Sequence, residues 1–328
     1  MSDPVRNDVL AQPAQLADAL WRCEAAAIER LPAAGGLVVC GMGGSAIGAD
    51  LAAAAIGPRA RRPLRTVRGY SPDPWVGEDS LVLCASYSGA TEETLACFEA
   101  AGQAGARRVA LTTGGELARR ARAADVPVIG VPAGMQPRAA VVYMTVGALE
   151  CAVACDAAPS LREEIEGASA TLAALADDPG EPATIAAALH GRVAVVHGAG
   201  PTAAVARRWK TQINENAKLP AFASDLPEAC HNEIEGWEWA PGNAPLAAVM
   251  LGHPEHGERV ARRFELLAQR LRGHGVTVVE AAPRGDDPVA RVLSLVMLGD
   301  LVSVELAEAM GVEATPVAAI EELKRALG

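Results

Sequence analysis

The feature that most constrains the fold is a short apolar run followed at once by a glycine loop and a helical stretch, which occurs twice. The first copy is LVVC at residues 37–40, continuing as GMGGSAIGADLAAAAIG, and the second is RVAVVHG, continuing as AGPTAAVARRWKTQ. A continuous apolar run of this length is typical of a strand covered on both faces. The repetition predicts two α/β halves of similar architecture in a chain of 328 residues.

Alternating strands and helices continue through both halves. Further strands are predicted at 64–67, 80–86 and 107–113, and in VPVIGVP, PLAAVML and VTVVEA. Helices are predicted at 8–30, 138–157 and 287–310, with a short one in the tail ATPVAAIEELKRALG. This order predicts a parallel sheet with helices on both faces in each half, and ligand sites at the carboxyl ends of the strands. We place the domains at 1–157 and 158–328.

Composition excludes several classes of partner. The formal net charge of −11 argues against a nucleic-acid partner, because phosphate backbones need clustered Lys and Arg. The N-terminal stretch lacks the pattern of a signal peptide, and no apolar run reaches the roughly 18 residues of a membrane span, so we expect a cytoplasmic protein without membrane association.

Seven cysteines without a CxxC pair predict buried, reduced thiols. His253 and His256 lack a third ligand nearby, so we expect them at the surface and expect no metal site.

Two polar loops follow strands of the first half. GMGGS follows the first strand and lets an anion approach the start of a helix, and SYSGATEET follows the third, with hydroxyls at Ser86, Ser88 and Thr91. Carboxyl ends of parallel strands share one sheet edge, so the two loops together predict a phosphate cradle. A nicotinamide-dependent dehydrogenase is disfavoured, because GMGGS is not GxGxxG and LRTVRGY ends in no acidic residue for a ribose.

Most of the candidate chemistry lies between Gln212 and Trp237, in QINENAKLPAFASDLPEACHNEIEGW. Glu215 and His231 can both move protons, and the turn-rich passage between them would let the pair meet across a cleft. Ordinary structural roles are the alternatives: a surface carboxylate for Glu215 and a capping or buried ring for His231. Glu228, Glu233 and Glu235 are expected to be loop and helix-cap charges.

The two loops resemble the sugar isomerase (SIS) domain, a flavodoxin-like fold that binds phosphorylated sugars. The QINENAK to EIEGW stretch is similar to the bifunctional phosphoglucose/phosphomannose isomerase family, and the resemblance extends over about residues 8–328. It implies that the substrate phosphate is bound by Gly44, Ser45, Ser86, Ser88 and Thr91.

The resemblance also implies roles for the catalytic residues. Glu215 would shuttle a proton between C1 and C2, and His231 would open the sugar ring in the partner's site of a homodimer. Arg138 would stabilise the enediolate, although a solvated arginine at a helix start is the alternative. A lysine of the last helix would complete the pocket; Lys324 fits, but Arg325 beside it leaves the register open, and a surface lysine is the alternative. Cys230 departs from a more usual polar residue.

The residues themselves suit this chemistry. Aldose–ketose isomerisation without a metal needs one base near C1 and C2, a proton-transfer group at the ring oxygen and a cation for the enediolate. The prediction is an isomerase, without cofactor or metal, interconverting glucose 6-phosphate, and mannose 6-phosphate, with fructose 6-phosphate. An isomerase of another phosphosugar and a non-catalytic SIS protein that senses a sugar phosphate remain the alternatives.

Overall fold

The computed structural model describes residues 3–327, which form two compact units. The N-terminal unit contains Ala11–Ala173 and Gly285–Leu293, and the C-terminal unit contains the residues up to Leu10, Ala174–Arg284 and the residues from Ser294 onward. These units do not follow the expected boundary between residues 157 and 158. Helix 162–176 belongs mostly to the N-terminal unit, where Ser169 Oγ donates to Pro13 O at 3.0 Å.

The N-terminal unit contains a five-stranded parallel sheet with the order β2-β1-β3-β4-β5. Its strands are β1 (Gly36–Gly41), β2 (Leu64–Val67), β3 (Ser80–Ala85), β4 (Arg107–Thr112) and β5 (Val128–Gly130). Its helices are α2 (Gln12–Ala25), α3 (Gly43–Ile56), α4 (Glu92–Gln103), α5 (Gly115–Ala123), α6 (Val141–Ala154) and α7 (Arg162–Ala176). The α/β class and the doubly wound strand order are therefore confirmed.

The C-terminal unit contains a four-stranded parallel sheet with the order β7-β6-β8-β9, which repeats the first four positions of the other sheet. Its strands are β6 (Val193–Gly198), β7 (Ala221–Asp225), β8 (Leu246–Leu251) and β9 (Thr277–Ala281). Its helices are α1 (Pro4–Leu10), α8 (Gly180–Leu189), α9 (Pro201–Asn216), α10 (Glu233–Gly236), α11 (Gly257–Gly273) and α13 (Ala318–Leu327), together with most of α12 (Pro288–Ala309).

Three local predictions differ from the structure. Strand β7 lies in the passage expected to be turn-rich, because an edge strand needs no continuous apolar run and leaves Phe222 57% exposed. The helix predicted at 8–30 is instead two helices, α1 and α2. Contrary to the expectation that no run is long and apolar enough, the 18 residues Pro137–Ala154 have the length and composition of a membrane span. Because 83% of these residues are buried in the protein, they have the burial of a core helix.

Small residues allow the helices of the N-terminal unit to pack closely. A Cβ at Gly48 of α3 would lie 2.5 Å from the Cβ of Met144 on α6, so glycine is needed at this crossing. Side chains of β1, β3, α4 and α5 form a buried apolar cluster that includes Cys40, Cys84 and Cys97. All seven cysteines are free thiols, and only Cys230 is partly exposed. Burial raises the pKa of Cys23 to about 12, so this thiol is unreactive near neutral pH.

A buried ion pair joins α9 to α12 in the C-terminal unit. Arg208 donates from Nε and Nη2 to the two carboxylate oxygens of Asp300, at 2.9 and 2.8 Å, and the two side chains are 1% and 0% exposed. The next residue, Trp209, donates from Nε1 to Leu295 O at 2.8 Å, and its ring occupies the space that a Cβ at Gly299 would need. The two parallel hydrogen bonds fix the register of α9 against α12. The last turn of α9 carries the candidate base Glu215.

A buried histidine lies beneath the segment that carries His231. His197, at the end of β6, is 0% exposed, and neither ring nitrogen has a hydrogen-bond partner among residues 3–327. Its ring lies 5.7 Å from the ring of Trp237, six residues after His231. Burial lowers the pKa of His197 to about 4, so the ring is neutral at physiological pH and packs as an apolar group.

The buried ion pair predicts unequal effects of two charge-neutralising substitutions. Asp300→Asn leaves the buried Arg208 guanidinium without its carboxylate, and we expect it to lower the free energy of unfolding by about 3–5 kcal/mol. The control Glu265→Gln removes the exposed pair with Arg262 and should cost less than about 1 kcal/mol. Urea unfolding of both variants checks this, and equal losses would contradict it.

His197 predicts acid sensitivity. Since its folded pKa lies below the unfolded value near 6.5, its contribution to stability is complete above pH 6.5 and is lost as the pH falls towards 4. From pH 8 to pH 5 we expect this residue to account for a loss of about 2 kcal/mol. His197→Phe keeps a ring against Trp237 and should lose correspondingly less stability over that range in urea unfolding. An identical pH dependence for variant and wild type would show that the ring is not the cause.

Candidate functional site

The glycine loop after β1 lies against the short turn that carries Arg138. Helix α3 begins at Gly43, directly after the strand, so the amide groups of its first turn point out of the carboxyl edge of the sheet. A Cβ at Gly44 would lie 3.1 Å from Pro137 O and 3.2 Å from the Cα of Arg138. The absence of a side chain at Gly44 therefore brings a cationic residue next to the predicted phosphate loop.

The serine loop after β3 meets the glycine loop, as the sequence predicted. Ser45 Oγ accepts from the backbone N–H of Tyr87 at 3.3 Å, which joins the two loops directly. Within the second loop, Ser86 Oγ lies 2.8 Å from Thr91 Oγ1 and accepts from the N–H of Gly89 at 3.1 Å. Ser88 is exposed, and its Oγ accepts from the N–H of Ala90 at 3.2 Å. A hydroxyl that accepts one hydrogen bond can still donate its own proton, so this cluster can donate to an anion.

Arg138 lies in a 3-10 turn, Pro137–Ala140, and helix α6 starts only at Val141, three residues later than the predicted helix. The proline at the start of the turn favours this tight geometry before the helix. Arg138 is only 3% exposed, and its Nη1 donates to Gln136 Oε1 at 3.1 Å. The structure therefore excludes the alternative of a solvated arginine at this position.

Tyr87, for which no role was predicted from the sequence, connects three segments around the two loops. Its hydroxyl donates to Pro132 O at 3.1 Å and accepts from the N–H of Met135 at 3.0 Å, so the side chain ties down the loop that leads to Arg138. Its backbone N–H is the group that binds Ser45. One residue thus connects both loops and the Arg138 turn, and its position between two candidate serines is the signal that could have identified it.

Glu215 lies in the last turn of α9, where it is half-buried and lines a pocket of about 410 Å³. The pocket is also lined by Asn214, Lys218 and Pro316–Ile320. Lys218 has a φ of 59° and donates from Nζ to Glu215 O, closing the helix end with a left-handed residue. Because the pocket wall is mostly apolar, it suits a carboxylate that must take a proton from carbon.

The two asparagines beside Glu215 anchor the end of the helix. Asn214 Nδ2 donates to Leu219 O at 2.8 Å, and the fully buried Asn216 donates from Nδ2 to Ser303 Oγ on α12 at 2.9 Å. Both bonds hold the last turn of α9 in place. The Asn-Glu-Asn pattern therefore has a structural reason, because the two asparagines fix the turn that presents Glu215 to the pocket.

His231 is exposed at the end of a 3-10 turn, Glu228–His231, that follows β7. The neighbouring polar residues have structural roles, as expected. Asn232 caps α10 by accepting from the N–H of Glu233 at 2.7 Å, and it donates from Nδ2 to Glu228 Oε1 at 2.8 Å. Glu228 and Asn232 are thus engaged with each other, and the His231 side chain is exposed to solvent at the end of the turn.

Glu215 lies near the amino-terminal ends of the strands of the C-terminal sheet, whereas His231 lies near their carboxyl-terminal ends. Helix α9 returns from the carboxyl end of β6 to the amino end of β7, so Glu215 is at the amino edge, whereas His231 follows the carboxyl end of β7. The five residues of β7 span about 16 Å at roughly 3.3 Å per residue. The fold of one chain therefore does not bring the two groups together across the intervening passage.

The two cations of the tail are exposed on α13. Lys324 follows the pocket residue Ile320 by one helical turn, and Arg325 donates from Nε to its own helix at Glu321 O, at 3.4 Å. Ala318 and Ile320 both line the pocket, and both cations follow one of them along the helix surface. The structure thus leaves the choice between Lys324 and Arg325 open.

The histidines of GHPEH are less exposed than expected. His253 is 8% exposed, and the half-buried His256 stacks on Phe264 at 4.9 Å with its Nε2 lying 3.2 Å from Thr202 Oγ1. The carboxyl end of β8 opens onto the start of α9, and these rings close that edge. Within residues 3–327, no group of three or more His, Cys, Asp or Glu side chains could hold a metal ion.

Comparison with solved structures shows the fold. The C-terminal domain of glucosamine-fructose-6-phosphate aminotransferase from Francisella tularensis aligns with a TM-score of 0.73 at 16% identity, covering 95% of this chain and 97% of that one. Tagatose-6-phosphate ketose/aldose isomerase from Escherichia coli aligns with a TM-score of 0.72 at 16% identity, covering 95% and 94%. At this identity the likeness concerns architecture alone, and it supports two SIS-type α/β halves.

Comparison with characterised sequences is closer. Residues 179–327 match the family described as the bacterial phospho-glucose isomerase C-terminal SIS domain. The bifunctional phosphoglucose/phosphomannose isomerase of Aquifex aeolicus is 36% identical over 294 residues, covering 89% of this chain and 90% of that protein. The protein of the same name from Caldicellulosiruptor bescii is 34% identical over 301 residues, covering 89% of each. The chain belongs to the bifunctional phosphoglucose/phosphomannose isomerase family.

Proposed function

We propose that this protein interconverts glucose 6-phosphate and mannose 6-phosphate with fructose 6-phosphate, without a metal or cofactor. The observation that carries the proposal is Glu215, a half-buried carboxylate on a mostly apolar pocket wall, within a chain that is 36% identical to an isomerase of this name. A base in such a pocket suits the removal of a proton from carbon. The free thiols suit the reducing cytoplasm, where we place the protein.

The N-terminal unit holds the phosphate in this proposal. Ser45 and Ser88 donate from their hydroxyls, the pair Ser86 and Thr91 has one further hydroxyl proton to donate, and the amide groups at the start of α3 add the positive end of the helix dipole. Gly44 lets the Arg138 turn lie against this loop. Neutral donors bind a dianion without burying several additional charges, which would carry a large desolvation cost.

The isomerisation requires one proton to move between neighbouring carbons. Glu215 takes the proton from C2 of the open aldose, which leaves the negative charge of the enediolate on the C1 oxygen. A proton then passes from the C2 hydroxyl to the C1 oxygen, and the carboxylic acid returns its proton to C1 as the C2 oxygen becomes the ketone. Arg138 stabilises the enediolate charge, and Lys324 is the further cation that we assign to the pocket. Glucose and mannose phosphates differ only at C2 and give the same enediol, so one base serves both when the intermediate turns about the C2–C3 bond.

Ring opening is assigned to His231 of the partner subunit of a homodimer. The ring oxygen needs a proton as the C1 hydroxyl loses one, and an imidazole near neutral pH can exchange both. Support comes from the sheet geometry, because His231 is exposed at the edge opposite to Glu215. A two-fold symmetric pair would let each chain supply what the other lacks.

The first experiment measures fructose 6-phosphate conversion in EDTA, with glucose 6-phosphate and mannose 6-phosphate quantified separately. We expect wild type to form both products, and Glu215→Gln to lower kcat by roughly 10³-fold while still binding substrate. The matched control is Glu228→Gln, which alters an exposed carboxylate of the same motif and should retain activity. Substrate binding without any wild-type turnover would favour a sugar-phosphate sensor, and turnover of a different phosphosugar would favour the other isomerase.

Mixing two inactive variants tests the shared site. In a heterodimer of Glu215→Gln with His231→Ala, one of the two sites contains both wild-type residues. Because half of randomly assorted dimers are heterodimers, we expect an equal mixture to recover about one quarter of wild-type activity. No recovery after subunit exchange, verified by sedimentation and mass spectrometry, would assign His231 to its own chain.

A further inference from the structure

The backbone of Ala314 is held from both sides by charged residues that are far apart in sequence. Its N–H donates to Asp3 Oδ2 at 3.2 Å, and its carbonyl oxygen, which belongs to the next peptide unit, accepts from Lys218 Nζ at 2.9 Å. The next hydroxyl along the chain, Thr315 Oγ1, donates to Asp3 Oδ1 at 3.1 Å. Hydrogen bonds to charged groups are stronger than neutral ones, so the two peptide units that flank the Cα of Ala314 are each fixed by a charged partner.

Asp3 can act as a fixed acceptor because the helix that it begins is docked. Its Oδ1 caps α1 by accepting from the N–H of Val5 at 2.8 Å, and Val5 and Val9 are each 1% exposed. Arg6 pairs with Glu305 at 2.7 Å, near the end of α12. The first helix is therefore part of the C-terminal unit, and it presents the Asp3 carboxylate to the chain at Ala314.

On its other side, Ala314 is connected to the candidate base. The Nζ of Lys218 that binds Ala314 O also donates to Glu215 O, so one ammonium group links the end of α9 to the start of the tail. The residues that follow, Pro316–Ile320, line the pocket together with Glu215. The position of Ala314 therefore sets how this wall faces the carboxylate.

We propose that Asp3 is a positioning residue for catalysis, acting through Ala314 and Lys218 on the pocket wall opposite Glu215. The proposal rests on the proposed function, in which Glu215 is the base. Asp3 does not touch substrate; it fixes the backbone that shapes the reaction pocket. Misplacement of a group by about 1 Å can cost 10²-fold in rate. The loss of the hydrogen bonds from Ala314 N–H and Thr315 Oγ1 to Asp3 should therefore be measurable in turnover.

The test compares Asp3→Ser with Arg6→Met. Serine still caps α1 but is too short to reach Ala314, whereas Arg6→Met removes the ion pairs with Glu305 and Glu308 and leaves Asp3 in place. With fructose 6-phosphate, we expect Asp3→Ser to lower kcat about tenfold with KM changed less than twofold, since phosphate binding is assigned to the other unit. Arg6→Met should keep wild-type kcat, even where its thermal midpoint falls.

Two further measurements separate the possible outcomes. Lys218→Met should also lower kcat. In the double variant with Asp3→Ser, the total fall in kcat should be much smaller than the product of the two single falls, because both side chains bind the backbone of Ala314. Amide hydrogen exchange at Ala314 should accelerate in Asp3→Ser but not in Arg6→Met. Wild-type kcat in Asp3→Ser, or equal losses in Arg6→Met, would overturn the positioning role.

Failure of the proposed function has a different signature. Wild type would then convert no fructose 6-phosphate at all, and the catalytic role of Asp3 would fall with the base assignment. The exchange rate at Ala314 in Asp3→Ser would still decide whether Asp3 fixes the pocket wall. Unchanged exchange would overturn that structural part even in an active enzyme.

Discussion

Every strand in each sheet runs parallel to its neighbours, and this constraint decides where the candidate groups lie. A parallel pair requires a crossover that returns the chain to the amino edge, so residues after a strand and residues at the end of the following helix are separated by the full strand length. The Ser45 hydroxyl and the loop that begins at Ser86 meet because both follow strands. Glu215 and His231 are separated because one ends a crossover helix and the other follows a strand.

Small side chains are the second condition on which the site depends. With aromatic residues at only 3%, the chain fills its interior by bringing backbones close together instead of interposing large rings. Gly48 allows α3 to contact α6, and Gly44 allows the Arg138 turn to contact the glycine loop. The same close approach that packs the core thus brings the backbone of the buried residue Arg138 next to the start of a helix. A side chain at either glycine would displace backbone, and no rotamer change could absorb it.

Polar contacts then fix the few elements whose exact placement matters. Arg208 with Asp300 and Asn216 with Ser303 tie α9 to α12 at two points about two turns apart on α9, and Lys218 joins the end of α9 to the tail. Buried polar pairs contribute less to net stability than to a unique register, since a slipped helix would leave them unpaired. The helix that carries the candidate base is in this way held in one register against α12.

The sequence by itself determined the α/β class, the duplicated halves and the meeting of the two polar loops, because these follow from hydrophobic period and from strands that end in glycine or serine. It also identified the unusual Gln212–Trp237 segment. It could not locate β7, whose exposed edge lacks an apolar run, or the burial of His253 and the half-burial of His256, which depend on neighbours distant in sequence.

Only the tertiary structure decided which contacts hold the loops and the tail in place. Tyr87 is marked only by its position between two candidate serines, and Asp3 by nothing in its local sequence. Their partners at Met135 and Ala314 are 48 and 311 residues away. A side chain that binds a backbone group leaves no trace in periodicity, since any residue can present that peptide. Such contacts form only when the sheets and helices are already in place, so the folded chain alone could reveal them.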